Sequence, residues 1–258
     1  MMWDLRDIKL PSVLDHYLLQ PYIRWGRRVA RHETDVVMIT HLLLYFSTSV
    51  PSALYLYYNF NWWHGVAHTV VQAYYVGTYT LMMHQHIHHG GILAKRYSFV
   101  DRLFPYILDP LFGHTWNSYY FHHVKHHHVE GNGPNDISST IRYQRDSPVD
   151  FAIYVSRFLL LVWIDLPLAF IRKGQWKMVA RTAASEFSTY GLYILLASKI
   201  NWPPTLFVFL LPFALIRLGL MVGNWGQHCF VDEVEPDSDF RSSITLIDVP
   251  VSLADTEL

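Results

Sequence analysis

The sequence predicts an all-α integral membrane protein with four transmembrane helices in two hairpins and a cytosolic, histidine-rich helical cap. Three observations predict this fold class. Of the 258 residues, 51% are hydrophobic and 16% are charged, whereas soluble domains carry about 25% charged residues. The 48 consecutive residues 36–83 contain no Asp, Glu, Lys or Arg. Ten of the 16 histidines lie between His84 and His128.

Composition also excludes several classes of protein. A net charge of −1 offers no broad basic surface, so no nucleic-acid partner is expected. Aromatic residues make up 16% of the chain, which excludes a disordered protein. The single cysteine, Cys229, excludes an internal disulfide and a cysteine-based zinc site. Metal binding in this chain is therefore expected to use histidine.

The first hairpin is predicted from the uncharged stretch, because about 20 apolar residues cross a bilayer as a helix. Its spans are 36–58 and 65–83, and its turn at 59–64 carries Trp62 and Trp63, which suit a membrane interface. Arginines precede the first span and place the N-terminus in the cytosol; they are Arg24, Arg27, Arg28 and Arg31.

The second hairpin is predicted from spans 184–200 and 204–222, which the sequence Asn201-Trp202-Pro203-Pro204 divides. Glu186, Lys199 and Arg217 are expected near span ends, where long side chains reach the interface.

Residues 151–171 are long enough to span, but Arg157 and Asp165 interrupt them. Basic residues lie on both sides, so this segment is expected to be interfacial or re-entrant; they are Arg142, Arg145, Arg172, Lys173, Lys177 and Arg181. The chain is expected to be one domain, 1–258, with its histidine-rich cytosolic part at about 84–150.

Three histidine groups follow the spans at helical spacing. Residues four apart share a face of a helix, and the pairs with this spacing are His84 and His88, His123 and His127, and Asn224 and His228. His126 completes H-x-x-H-H with His123 and His127, His89 completes H-x4-H with His84, and His86 should face away from His88. The groups lie on one side of the membrane only if an even number of crossings separates them, which is why 151–171 should make no net crossing.

Imidazole binds iron, zinc, copper or nickel, so this cluster predicts either a dinuclear centre or one metal ion with bystander histidines. Carboxylates near the cluster are candidates to orient the imidazoles; they are Asp101, Asp109, Glu130 and Asp136. For Asp136 a helix cap before Ser138 and Ser139 is the preferred role. Other histidines are expected to be hydrogen-bonded core residues (His41, His64, His68) or have uninformative spacing (His16, His32, His114).

These motifs, in this order and beside these spans, resemble the integral-membrane fatty acid desaturase superfamily, over about residues 36–247. The resemblance implies a four-helix membrane anchor, a cytosolic site with two Fe ions, O2 as oxidant and a cytochrome b5-type electron donor. It implies desaturation of an acyl lipid or acyl thioester in the endoplasmic reticulum. It assigns iron binding to His84, His88, His123, His126, His127 and His228, with His89 as an alternative and Asn224 bound weakly or through water.

The sequence departs from the family in one respect. The family has a further H-x-x-H-H box, but no histidine follows His228. Residues 232–258 carry eight acidic residues and are expected to form a solvated tail. A truncated chain or a weakened di-iron site is therefore expected.

Three alternatives to the desaturase remain open. A lipid hydroxylase or ketolase shares the same histidine spacing. A non-enzymatic, metal-binding or partner-modulating membrane protein would follow from loss of the last box. A divalent-metal transporter is disfavoured, because it needs ionisable ligands within the spans.

Overall fold

The computed structural model of the protein describes residues 11–228 and residue 234. The predicted all-α class is confirmed for these residues, whose α-helices are α1 (Ser12–Leu14), α2 (Gln20–Val29), α3 (Val36–Ser47), α4 (Ser49–Tyr58), α5 (Trp62–His89), α6 (Ser98–Asp101), α7 (Phe104–Leu111), α8 (His128–Glu130), α9 (Pro148–Arg172), α10 (Trp176–Leu195), α11 (Trp202–Thr205) and α12 (Leu211–Gln227). Further π-helical turns are Asp15–Leu19, Tyr120–His127, Leu196–Ile200 and Leu206–Leu210, and 3-10 turns are Glu33–Asp35 and Lys95–Tyr97.

Three helical stretches are long and apolar enough to cross a membrane, which indicates a membrane protein; they are Glu33–Tyr58, Pro148–Arg172 and Trp202–Gln227. The predicted number of four spans is not confirmed by this criterion. Residues 65–83 and 184–200 do lie in long helices, but polar side chains such as His68, Gln72 and Glu186 dilute their apolar character.

Within residues 11–228, four helical passages run between two ends of one bundle. They are α3 with α4, α5, α10 with the turn that follows it, and α11 through α12. At one end, the hydroxyls of Tyr57 and Thr205 are hydrogen-bonded at 2.7 Å, and the Phe60 and Phe207 rings lie 6.0 Å apart. At the opposite end, the last turns of α5 and α12 line one cavity with the π-helix Tyr120–His127.

Two short connections join these passages where the sequence places turns. The Asn61 side chain caps α5 by accepting hydrogen bonds from the backbone N–H groups of Trp63 (2.9 Å) and His64 (3.2 Å). Asn201 is extended between the turn Leu196–Ile200 and α11, so the helix restarts directly at Trp202. Both connections agree with the hairpin turns predicted from the sequence.

The segment predicted to be interfacial or re-entrant forms α9, a continuous helix of 25 residues, so it does not turn back on itself. Arg157 and Asp165 do not interrupt it, because the Nε of Arg157 pairs with Oδ2 of Asp165 at 3.0 Å along its surface.

Helix α9 lies lengthwise against residues 126–138. Near its start, the Tyr154 hydroxyl donates a hydrogen bond to the Ser138 carbonyl at 3.2 Å. Just beyond its end, Lys173 forms an ion pair with Glu130. A helix of this length is about 37 Å long, so contacts near both ends with one short segment orient it along that segment.

Residues 104–118 leave the histidine-rich end of the bundle, enter its interior and return. The Phe112 ring stacks on Tyr79 of α5 at 4.1 Å between centroids. Tyr79 also donates a hydrogen bond to Oδ1 of Asp109 at 2.7 Å. On the return path, the Trp116 N–H donates to the Thr189 hydroxyl of α10 at 3.1 Å. The segment is thus wedged between α5 and α10, and Asp109 does not orient an imidazole.

A buried ion pair joins α10 and α12. Nη2 of Arg217 lies 3.0 Å from Oε2 of Glu186, and the Thr115 hydroxyl donates to Oε1 of the same carboxylate at 2.5 Å. Glu186 is 2% exposed and Arg217 is 4% exposed. The prediction that these side chains reach the membrane interface is therefore wrong, because each neutralises the other inside the bundle.

Candidate metal centre

The end of α5 supplies the first histidines of the site. His84 and His88 share a face of the helix, as predicted, and their ring centroids lie 4.5 Å apart. The helix stops at Gly90, whose left-handed backbone (φ 65°) suits glycine because it has no Cβ. His86 faces the other way, as predicted, with Nε2 3.0 Å from the Asp101 carbonyl oxygen.

The second group of histidines lies on a π-helix, Tyr120–His127, and not on the α-helix that the spacing predicts. In a π-helix the hydrogen bonds run from i to i+5, and such turns are frequent at functional sites. His128 therefore lies beside His123, with their Nε2 atoms 3.0 Å apart. His123 also stacks on His127, with ring centroids 5.6 Å apart.

His84, His88 and His123 converge on one point, and one ligand nitrogen from each lies within 4.8 Å of the others. The two segments that carry them are α5 and the π-helix. Typical metal–nitrogen bonds are about 2.0–2.1 Å, so ligand atoms of one ion lie about 3.0–3.5 Å apart, and small side-chain rotations bring these nitrogens to that separation. This group is the best-formed part of the predicted centre.

His127 lies farther along the cavity that His84 and His123 line, and His228 lies beside His127. Their ring centroids lie 5.4 Å apart. His84, His123, His127 and Asn224 line a cavity of about 160 Å³. The Asn224 side chain is anchored beside it, since Nδ2 donates to the Ser138 carbonyl at 2.9 Å.

A buried carboxylate orients His127. Nδ1–H of His127 donates to Oδ2 of Asp136 at 2.6 Å. The same carboxylate accepts backbone N–H groups of Asn132 (3.2 Å) and Ser138 (2.9 Å). This bond leaves Nε2 of His127 for a metal ion, which is the usual carboxylate–histidine arrangement of metal sites. No helix begins at Ser138, so the predicted capping role of Asp136 is wrong.

Two predicted ligands, His126 and His89, lie apart from this group. Nε2 of His126 accepts the backbone N–H of Ile137 at 3.1 Å, and its ring packs against Phe170 of α9 with 6.0 Å between the centroids. The His89 ring lies 5.0 Å from His32, on a different side of α5 from His88, because one residue turns an α-helix by about 100°. The other two candidate carboxylates pair elsewhere: Asp101 contacts His86 and Glu130 contacts Lys173.

The three converging imidazoles, those of His84, His88 and His123, favour the neutral form that metal binding requires. Burial, with the nearby His88 and His128, lowers the pKa of His84 to about 4. Burial and the neighbouring His84 lower the pKa of His123 well below its ordinary value of 6.5. Burial also lowers the pKa of His88. All three rings therefore offer a nitrogen lone pair at neutral pH.

Two residues of the site were not singled out from the sequence. The α-helical period gives His128 no histidine partner, and the π-helical period brings it to His123. Tyr119 stacks on His123 at 5.1 Å, and its hydroxyl lies 3.4 Å from Nδ1 of His84. No spacing rule identifies Tyr119, because its contacts depend on how residues 104–118 return from the interior.

Of the three histidines predicted to be hydrogen-bonded core residues, His68 is buried and His64 is half-buried, whereas His41 is half-buried and its Nδ1 has no hydrogen-bond partner among the described residues. Nε2 of His64 and Nδ1 of His68 each lie 2.9 Å from the Ser52 hydroxyl oxygen. The predicted acidic tail, 232–258, and the region of the expected last histidine box lie outside the described residues, apart from Val234.

Comparisons with family models, curated proteins and solved structures find no match to the chain.

Proposed function

We propose that the chain is a membrane-bound, di-iron oxidoreductase of the fatty acid desaturase type, which introduces a double bond into the acyl chain of a lipid or thioester. The observation that supports this most is the convergence of His84, His88 and His123 from two separate segments onto one point. We place the enzyme in the endoplasmic reticulum with the histidines facing the cytosol, O2 as oxidant and a cytochrome b5-type protein as electron donor.

The donor set fits iron, which accepts imidazole ligands. One ion would be held by His84, His88 and His123, and His127 with His228 would contribute to the second. When bound, the irons supply oxygen activation and the removal of hydrogens from an unactivated C–H pair. The protein's own part is to bind, orient and shield these ions.

Individual residues perform this part. Asp136 fixes the ring of His127 and keeps its proton on Nδ1. Tyr119 packs on His123 and limits rotation of that ring. Tyr119, Leu220 and Met221 line the cavity beside the histidines, and their apolar surfaces exclude water from the site.

The proposed topology has four membrane crossings with the histidines on one face. It is supported by the four helical passages, of which α5 and α12 end together at the histidine cavity. Helix α9 contacts residues 126–138 near both of its ends, which favours a position in the plane of the membrane surface over a crossing. Its exposed apolar side chains would then face lipid; they include Val149, Ile153, Leu160, Ile164 and Leu168.

Metal content with turnover tests the proposal. The full chain, purified in detergent and loaded anaerobically with Fe²⁺, is supplied with O2, cytochrome b5, its reductase, NADH and acyl substrates. The proposal expects bound iron and an acyl product that has lost two hydrogens. Zinc bound in preference to iron at the site that depends on His123, or no iron at all, would refute it.

A matched pair of variants localises the activity. His123→Ala should abolish both iron binding and product, because His123 is central to the converging group. His64→Ala should change neither iron binding nor product, because His64 lies 20 residues before His84 on α5, which is about 30 Å along the helix. Equal effects of the two substitutions would contradict the site assignment.

The same assay separates the alternatives. A product that has gained an oxygen atom would identify a hydroxylase on the same scaffold. Iron bound without any product would favour a catalytically impaired, metal-binding membrane protein.

A further inference from the structure

A second cluster of metal-binding side chains lies near the start of the first passage. One ligand atom each of His32, Asp35 and His89 lies within 4.8 Å of the others. His32 and His89 are exposed, whereas Asp35 is 3% exposed. His89 comes directly after His88, but its ring faces His32 and not the histidine cavity.

The backbone holds these three residues together independently of any metal. The N–H of Arg31 donates to the Ile92 carbonyl at 2.8 Å, and the N–H of Ala94 donates to the Val29 carbonyl at 2.7 Å. These two bonds tie the residues before His32 to the residues after His89. Backbone hydrogen bonds between two segments that are distant in sequence therefore hold the three residues of the site together.

The charges of the cluster favour a cation. Oδ2 of Asp35 accepts the His32 backbone N–H at 3.1 Å, and among the ion pairs of the described residues none involves Asp35. A buried carboxylate without a positive partner is costly. Nη2 of Arg31 lies 3.8 Å from Oδ2 of Asp101, and its Nη1 donates to the His89 carbonyl oxygen at 2.6 Å, so the charge of Arg31 is paired with a carboxylate other than Asp35.

We propose that His32, Asp35 and His89 bind a single divalent transition-metal ion, with Zn²⁺ as the favoured ion, separate from the di-iron centre. Two imidazoles and one carboxylate, with a fourth position open to water, form a known zinc donor set. Ligand atoms in a tetrahedral zinc site lie about 3.3–3.5 Å apart, so the exposed imidazoles need to close by little more than 1 Å. The ion would clamp the start of the first passage to the end of α5.

Binding of Zn²⁺ and Co²⁺ to the metal-free full chain in detergent tests this site. His32→Ala and Asp35→Asn should each lower the affinity for one equivalent of Zn²⁺ by about 100-fold or more. Loss of a residue that only positions a metal ligand already lowers the affinity about 10–100-fold. The matched control is Glu33→Gln, an exposed carboxylate that pairs with Arg27 and should leave binding unchanged. Equal binding by wild type, His32→Ala and Asp35→Asn would overturn the proposal.

Two further arms keep the outcome independent of folding and of the proposed oxidoreductase. In a His123→Ala background, which impairs the di-iron centre, the His32-dependent equivalent of Zn²⁺ should remain; its loss there would assign the metal to the di-iron centre. His32→Cys should restore binding and add a thiolate-to-Co²⁺ charge-transfer band that is absent from wild type. A correctly folded His32→Cys chain without that band would also refute the site.

Discussion

Replacing Asp136 by asparagine isolates the contribution of the carboxylate that orients His127. The side chain is fully buried. Its Oδ2 accepts from Nδ1 of His127 at 2.6 Å and from the N–H of Asn132 at 3.2 Å. Its Oδ1 accepts from the N–H and hydroxyl of Ser138 at 2.9 and 2.8 Å. An asparagine of the same shape has only one oxygen, so one of these two sets of donors faces an NH2 group.

The expected cost follows from these bonds. A hydrogen bond to a charged group contributes about 1.5–3 kcal/mol, and two donors lose their acceptor, so Asp136→Asn should lower the free energy of unfolding by roughly 2–4 kcal/mol after local relaxation. Loss of a carboxylate that orients a ligating imidazole typically costs 10–100-fold in metal affinity, and we expect a decrease of that size.

The assay measures both quantities on one sample. Denaturant unfolding of the metal-free chain in detergent, followed by tryptophan fluorescence, gives the change in stability, and competition with a chelator gives the metal affinity. The control is Asp146→Asn, which alters an exposed carboxylate of the same loop. If Asp136→Asn loses stability but keeps full metal affinity, Asp136 only anchors residues 132–138 and does not orient His127.

A pH arm adds an independent check. Burial raises the pKa of Asp136, but the His127 hydrogen bond and neighbouring donors outweigh it, so its pKa lies well below the ordinary 3.8. A lowered carboxyl pKa contributes stability that is complete above the unfolded value and is lost as the pH falls through the folded one. Stability of metal-free wild type should therefore decline below about pH 4, and Asp136→Asn should lack this part of the decline.

Two further substitutions test how the interior of the bundle supports the site. Gly113→Ala should destabilise the chain by about 3 kcal/mol or more, because Gly113 has φ +92° and a Cβ there would collide with the Pro212 backbone. The control Gly77→Ala should not destabilise the chain, because the space around Gly77 is open. Equal melting temperatures of the two variants in detergent would contradict the packing around Gly113. Arg217→Met should lower the free energy of unfolding by about 3–5 kcal/mol, because it leaves Glu186 buried without its cation. The double variant Arg217→Met/Glu186→Gln should recover part of this stability in the same unfolding experiment. If the losses of the two single variants add fully in the double variant, the two groups do not stabilise each other.

Local rules predicted the features that depend on neighbours in sequence. The hairpin turns follow from Asn61, which caps α5, and from Asn201 before two prolines. The His84–His88 pair follows from the α-helical period, because α5 continues through both residues. Each of these features is determined within about one helical turn, and each could be read from the residues alone.

Features that depend on contacts between distant segments could not be predicted. The π-helix replaced the expected α-helical period, so His128 rather than His126 joins His123. The partner of His127 is Asp136, which reaches it only because residues 131–137 fold back on the π-helix. The number of candidate spans has a similar origin, because polar side chains such as Glu186, which Arg217 pairs inside the bundle, lower the apolar character of residues 184–200.

The buried polar residues of the bundle and the histidine site form one connected arrangement. Arg217 holds Glu186, and Glu186 accepts the Thr115 hydroxyl. Four residues later in the chain, Tyr119 stacks on His123. Ionisable side chains inside a membrane protein are costly and are usually retained for function. Here the pair fixes the return of residues 104–118 and thereby the position of Tyr119 against the metal-binding ring. A shift of His123 in Arg217→Met, read from the spectrum of bound Co²⁺, would separate this positioning role from a simple loss of stability.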